Sequence, residues 1–410
     1  MVVEIILYIV CFLIPLLFNY KFYGFNGSTF LLFIYFIGTL CALYVAFFTT
    51  MFDSDRLSIY AVTYHLVCLF LLLFPIVNFG NKLKGYRLDD ATLKVFTFVI
   101  IFFSFMSLFL YLPDVIEVFK MGLSQARVAF YMGTLKAESD GLLEYLKLPG
   151  KGLSLVAPFF LFYYIVNYPE KKLLIYLLLI SSMVDVLFTL TNAGRGGLIR
   201  WAFVMIYFYL TFKNEINSKL KKYITSSLTI LGVAFFSIFM ITTVGRFSDR
   251  EHSILDYILS YAGQPYIYFS YQFFDFFDIT SYGTRIFKIF SSDVDDTYYL
   301  DMVTGQLDYG TNTFSTLAGD FYKDLGFYFT FLLCLFHFIL YLFVYKTNVF
   351  NRLKVFKITL FSIMLCIVLN GYFYYQYSSA SDTKIFLLVL FFSLFIPVFE
   401  KTIVNMQKRN

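Results

Sequence analysis

The sequence predicts an all-α polytopic membrane protein, with about eleven transmembrane helices and a large external loop, roughly 244–325, that contains short helices. Three observations carry this. Of 410 residues, 60% are hydrophobic, 22% aromatic and 14% charged, with mean hydropathy +0.73. A soluble domain has about 25% charged residues, and its core stops growing near 250–300 residues. So much apolar surface requires lipid as solvent, which excludes a cytosolic enzyme, a secreted domain and a nucleic-acid binder. Second, apolar runs of helix-spanning length recur along the chain. Third, Lys and Arg fall into alternate connections.

A helix needs about 20 apolar residues to cross about 30 Å of hydrocarbon. Such runs lie at roughly 2–18, 29–49, 57–77, 92–112, 153–168, 173–191, 197–212, 224–243, 326–345, 355–375 and 384–399. The first lacks a basic leader and a small-residue cleavage site, so it reads as a retained span. One set of connections carries Lys21, then Lys82, Lys84, Arg87 and Lys94, then Lys171 and Lys172. It continues with Lys213, Lys219, Lys221 and Lys222, then Lys346, Arg352, Lys354 and Lys357, and ends with Lys401, Lys408 and Arg409. The short loops of the other side hold only Arg56, Arg195 and Lys384. The basic set is cytoplasmic by the positive-inside bias, so the N-terminus is external and the C-terminus cytoplasmic. Two external loops, roughly 113–152 and 244–325, exceed ordinary connection lengths and draw the expected function to the outer face. Cys11, Cys41, Cys68, Cys334 and Cys366 all sit in apolar runs without a CxxC pair and read as small hydrophobes.

Several external residues suit anion chemistry. Thr191-Asn192-Ala193-Gly194-Arg195-Gly196-Gly197 joins two spans by a short turn. Its glycines permit a tight bend, and Arg195 stands before a helix N-terminus, where exposed amides and the helix dipole favour a phosphate. The plainer role for Arg195 is to snorkel to the interface. Asp185 lies inside the preceding span and Arg200 inside the next; an intramembrane carboxylate is either functional or paired with a neighbour. After the eighth span, Arg246 and Arg250 share a face at i, i+4, to be neutralised by a ligand anion or by Asp249 and Glu251. His252 suits a general base near neutral pH, or is a solvated loop histidine. His65 and His337 lie in spans and read as packing residues. Ile254–Ile279 suits a helix at the outer interface, broken in two at Gly263-Gln264-Pro265, or a loop packed over the bundle. Asp293-Val294-Asp295-Asp296 contains an Asp-x-Asp, a weak metal signal. Arg127 is a further external cation in the helix-like Ser124–Tyr131 stretch.

These features together resemble the Wzy-type O-antigen or capsule oligosaccharide repeat-unit polymerases. The likeness lies in the aromatic-rich chain of about eleven spans, the short AGRGG turn and the large external loop before the last spans. It extends to Gly310-Thr311-Asn312-Thr313-Phe314-Ser315-Thr316-Leu317, followed by Asp320-Phe321-Tyr322 and Asp324-Leu325-Gly326. The resemblance implies a membrane glycosyltransferase at the outer face of the bacterial inner membrane. A glycan on undecaprenyl diphosphate is transferred to a hydroxyl of another lipid-linked repeat unit, and undecaprenyl diphosphate leaves. Arg195, Arg246 and Arg250, helped by Arg285 and Arg127, would stabilise the departing diphosphate. His252 would take the acceptor proton, with Glu251 and Asp249 behind it. The donor is already activated, so no cofactor, metal or nucleotide is expected. Expected partners are the lipid-linked donor and acceptor, the bilayer, and a chain-length regulator and flippase, with no nucleic acid. An O-antigen ligase shares this chemistry with a different acceptor; a lipid-linked oligosaccharide flippase or transporter is the alternative of another class.

Overall fold

The computed structural model describes residues 2–49, 57–132, 142–194, 196–226, 229, 232–233, 253–270, 274, 283–288, 314–346, 353–375, 377 and 380–407. Among them the chain is helical and forms no strand. The helices are α1 (Val2–Tyr23), α2 (Gly27–Phe48), α3 (Ile59–Gly80), α4 (Asp90–Met121), α5 (Leu123–Tyr131), α6 (Leu142–Ser154) and α7 (Ala157–Asn167). They continue as α8 (Lys172–Ser181), α9 (Val184–Thr191), α10 (Gly196–Phe212), α11 (Ile254–Tyr268), α12 (Thr316–Tyr341), α13 (Lys354–Asn370) and α14 (Ala380–Gln407), with a π-helical turn at Leu342–Lys346 after α12.

Six helical runs are long and apolar enough to cross a membrane alone: α1 to α4, the α8–α9 run Lys172–Thr191, and α12 with its π-turn. A seventh arises if α6 and α7, bent by 47°, are one span. The expected eleven is not reached among the described residues. The run at 197–212 is α10, only 17 residues long, and that at 355–375 ends as helix at Asn370. Most of 224–243 lies outside the described residues. The stretch 113–152, expected as a loop, is largely helical where described. Pro113 does not end α4, which has 32 residues and therefore reaches about 48 Å. Val115 and Val118 keep its final turns packed, so an apolar face extends past the hydropathy boundary.

The chain divides into two compact units, the first being Met1–Asn81, Lys213–Ile339 and Asn370–Gln376. Here α1, α2 and α3 pack on one another, and α11 lies along α2. One end of the α1–α3 bundle is tied by an amide knot. Asn19 donates to Thr29 Oγ1 at 2.8 Å, Asn81 to Asn19 Oδ1 at 2.6 Å, and Asn26 to Asn81 Oδ1 at 2.8 Å. Asn26 also caps α2 by accepting from the Thr29 amide. With no water in lipid, such groups must satisfy one another.

Helix α11 is not broken at Gly263-Gln264-Pro265; it runs through Pro265 to Tyr268. Gly263 packs directly on the α2 backbone at Cys41 and Ala42, which a side chain would prevent. Proline removes one helical donor and crowds the preceding turn. Next to this turn the Tyr372 hydroxyl donates to Ala262 O at 2.6 Å. Tyr266 donates to Tyr35 O at 2.9 Å, and Ser253 with Asp256 closes a capping box at the start of the helix. Ring contacts among Tyr8, Phe12, Tyr35, Tyr266 and Tyr372 fill the space between these helices.

The second unit is Lys82–Phe212, Leu340–Leu369 and Tyr377–Asn410. Helix α4 is its spine, contacting α5, α6, α8, α9 and α14. Helix α6 wedges between α4 and α14 because Gly150 meets Ser107 and the Phe103 carbonyl while Gly152 meets Ile385 and Val389. The Tyr163 hydroxyl accepts from the Leu88 amide at 3.0 Å and so anchors the turn before α4.

Replacing Gly263 by Ala places a Cβ 2.6 Å from the Cys41–Ala42 backbone. The expected loss is about 1–3 kcal/mol, as for overpacked cores. It is read as a lowered melting temperature of the purified protein in detergent, with Ser260→Ala on the same helix as the comparison.

Candidate functional site

Three ion pairs in the second unit join side chains of α4, α6, α9, α10 and α14. Asp185, in the first turn of α9, meets Arg200 of α10: Nη2 is 2.7 Å and Nε 2.9 Å from Oδ2. Both residues are buried, at 4% and 5% exposure. An unpaired charge here would carry a desolvation penalty of several kcal/mol, so the pair is obligatory. Of the two roles open to Asp185, neighbour pairing is the one observed. Trp201 Nε1 donates to Ser182 Oγ at 2.9 Å and fixes α10 against the start of α9.

Lys147 and Lys151 lie one turn apart on α6 and are likewise buried. Lys147 Nζ stands 3.0 Å from Asp114 of α4, and Lys151 Nζ 2.7 Å from Asp382 of α14. Aromatic faces complete both environments. Lys151 Nζ is 3.6 Å from the centre of the Phe188 ring, Lys147 Nζ is 5.2 Å from that of Tyr111, and the two rings meet edge to face. Burial holds the phenol of Tyr377, which precedes α14, well above the usual tyrosine range. Cys366, Asp185 and Asp382 add to that rise and Arg200 opposes it, so Tyr377 senses both pairs.

Arg127 of α5 reaches the Asn192–Gly197 turn, where its Nη1 donates to Asn192 O at 2.9 Å. Its guanidinium also lies over the Phe130 ring, 5.4 Å from the centroid. The turn is tightly closed: Gly194 N donates to Thr189 O at 2.8 Å and Ala193 N to Leu190 O at 2.9 Å, with Ala193 held at φ +48°. A non-glycine residue in that conformation is uncommon and persists where its surroundings over-determine it. The side-chain Oδ1 of Asn192 is enclosed and has no hydrogen-bond partner among the described residues. Arg127 thus stands on the turn that carries Arg195. Arg195 itself, which immediately precedes α10, lies outside the described residues.

Comparison of the chain with family models, with curated proteins and with solved structures finds no match.

In the first unit, the Thr316–Asp324 segment is pinned from several sides. Thr316 has φ +65° and its amide donates to Phe373 O at 3.0 Å. Its hydroxyl lies 2.7 Å from His65 Nε2, while Tyr8 OH lies 2.6 Å from His65 Nδ1. The His65 ring stacks on Phe269 with centroids 4.3 Å apart. His65 is therefore a fully partnered packing histidine; Nε2 of His337 is enclosed with no partner among the described residues. Asp320 accepts from Ser315 Oγ at 3.0 Å and from Tyr375 N at 2.5 Å, and pairs with Lys323 at 2.8 Å. Asp324 accepts from the backbone of the Gly283–Ile286 turn, which carries Arg285.

Of the sequence-expected site residues, Arg127 and Arg285 are described. Arg195, Arg246, Arg250, Asp249, Glu251 and His252 lie outside the described residues, as does Asp293–Asp296. The sequence reading missed Asp114, Lys147, Lys151 and Asp382. Their only local signal is the i, i+4 spacing of the two lysines, because their carboxylates come from 33 and 231 residues away.

Asp185→Ala leaves the Arg200 guanidinium buried without its carboxylate, and the expected loss is about 3–5 kcal/mol. The double variant Asp185→Leu/Arg200→Met recovers most of it. Thermal unfolding of the purified protein in detergent reads both, and a single-variant loss below about 1 kcal/mol would mean that water, not Asp185, satisfies Arg200.

Proposed function

We propose that this all-helical membrane protein polymerises undecaprenyl-diphosphate-linked oligosaccharide repeat units into O-antigen or capsular polysaccharide. It acts at the outer face of the bacterial inner membrane, with about eleven spans, an external N-terminus and a cytoplasmic C-terminus. The observation that carries the reading is Arg127 docked on the turn that leads through Arg195 into α10. An arginine bonded to this turn, with a second in the turn's own sequence before a helix N-terminus, suits an anion that is doubly charged and membrane-borne.

The acceptor hydroxyl oxygen attacks the anomeric carbon of the donor sugar, whose bond to the diphosphate oxygen breaks. The hydroxyl proton passes to a base, for which His252 stands first and Glu251 and Asp249 follow, by sequence alone. Undecaprenyl diphosphate departs with the bonding electron pair. Arg127 and Arg195 stabilise the charge that grows on the leaving oxygen; Arg246, Arg250 and Arg285 are assigned the same chemistry from their place in the external loop. The donor brings its own activation, so the step needs no nucleotide or metal cofactor.

One observation favours a second reading, a lipid-linked oligosaccharide flippase or transporter. Six ionisable side chains paired inside the second unit are the kind of array that lines a transport path. A deletion strain separates these outcomes on a glycan gel. Loss of a polymerase leaves single repeat units on lipid A-core, loss of a ligase leaves uncapped core, and loss of a flippase traps lipid-linked units inside.

Complementing that strain with Arg127→Ala or Arg195→Ala is expected to abolish the chain-length ladder. Each removes a transition-state contact of the kind that contributes about 10²–10³ in rate. Lysine at either position restores the charge without the planar fork and is expected to rescue poorly. A normal ladder from both alanine variants, with normal membrane levels of protein, would rule out this turn as the diphosphate site.

A further inference from the structure

Asp324 is the least exposed aspartate among the described residues, at 1%, and lies two residues before the break in α12 at Gly326. Its Oδ2 accepts from the Ile286 amide at 2.7 Å, and its Oδ1 from those of Gly283 at 3.2 Å and Arg285 at 3.4 Å. The Gly283 amide also approaches Asp324 O at 3.3 Å. These donors belong to one helical turn, closed by Phe287 N to Gly283 O at 2.8 Å. The first amides of a helical turn have no partner within it, and here a carboxylate of the same chain occupies the place of an anion. Gly283 begins the turn at φ +87°, a conformation that disfavours other residues.

The consequence falls on Arg285. Its amide is held by Asp324, and the next residue, Ile286, is buried at 3% exposure. The backbone on both sides of Arg285 is therefore fixed, while its own side chain is half-buried. We propose that Asp324 is the positioning residue for Arg285: through three backbone amides it sets the direction in which that guanidinium is presented to a lipid-linked diphosphate. This rests on the reading of Arg285 as a diphosphate ligand. The separation of roles is chemical. The carboxylate holds the backbone amides, and the turn converts that hold into an orientation of Arg285.

Two measurements test this in the full-length protein. The first uses thiol labelling of Arg285→Cys in a Cys11→Ser background, purified in detergent, with a soluble maleimide. Adding Asp324→Ala should release the turn and raise the labelling rate about tenfold. Asp324→Asn, which keeps one acceptor oxygen, should fall between and guards against a variant that fails to fold. An unchanged rate in both overturns the proposal whatever the glycan phenotype. The second compares the initial rate of ladder formation in the deletion strain for Asp324→Ala, Arg285→Ala and the double variant. Positioning predicts that the double variant is no slower than Arg285→Ala alone. Multiplicative losses would mean that Asp324 serves the fold and not Arg285, and would overturn the proposal. A raised labelling rate with a normal ladder from Arg285→Ala overturns it in another way: the turn is held by Asp324, but Arg285 is no diphosphate ligand.

Discussion

Charge buried in an apolar surround must find its opposite, and the second unit is organised by that requirement. Arg200 is held by Asp185, Lys151 by Asp382 and Lys147 by Asp114. Each pair joins different helices, so the pairs fix which faces of α4, α6, α9, α10 and α14 meet. Packing follows from the same contacts: small residues on α6 admit the neighbouring helices closely enough for the lysines to reach their carboxylates. The Phe188 and Tyr111 rings then lie against the ammonium groups, 3.6 Å from Lys151 Nζ and 5.2 Å from Lys147 Nζ.

The first unit meets the same solvent constraint with hydroxyl and amide groups. Tyrosines donate to backbone carbonyls near the irregular points, as Tyr372 does at Ala262 O close to Pro265 and Tyr64 does at Phe327 O beside the Gly326 break. A carboxylate also binds backbone amides, as Asp324 does at the Gly283–Ile286 turn. Irregular backbone is tolerated inside an apolar fold only where side chains supply the missing partners. The segments that depart from helix therefore coincide with the tyrosines and aspartates that stabilise them.

Hydropathy made the membrane class and most helical runs legible, since period and length decide those without tertiary knowledge. Asp185 and Arg200 were also legible as a possible pair, being only fifteen residues apart on consecutive helices. What stayed hidden depended on distant partners. Leu146-Lys147-Leu148-Pro149-Gly150-Lys151-Gly152 reads as a loop, because two lysines, a proline and two glycines each argue against a buried helix. The structure makes it one because Asp114 and Asp382 neutralise the charges and the glycines admit close packing. Pro265 reads as a break as well, and the Tyr372 hydroxyl that ties the continuous helix at Ala262 O comes from 110 residues away. The docking of Arg127 on the Asn192 carbonyl spans 65 residues and has no local signature.

As the proposed polymerase, the protein would couple glycosidic bond formation to departure of a lipid diphosphate at its outer face. The direct measurement places the purified protein in liposomes with lipid-linked repeat units and a metal chelator, and counts polymer bonds and free undecaprenyl diphosphate together. The account predicts one undecaprenyl diphosphate released for each new glycosidic bond. Movement of lipid-linked units across the bilayer with no diphosphate released would contradict it.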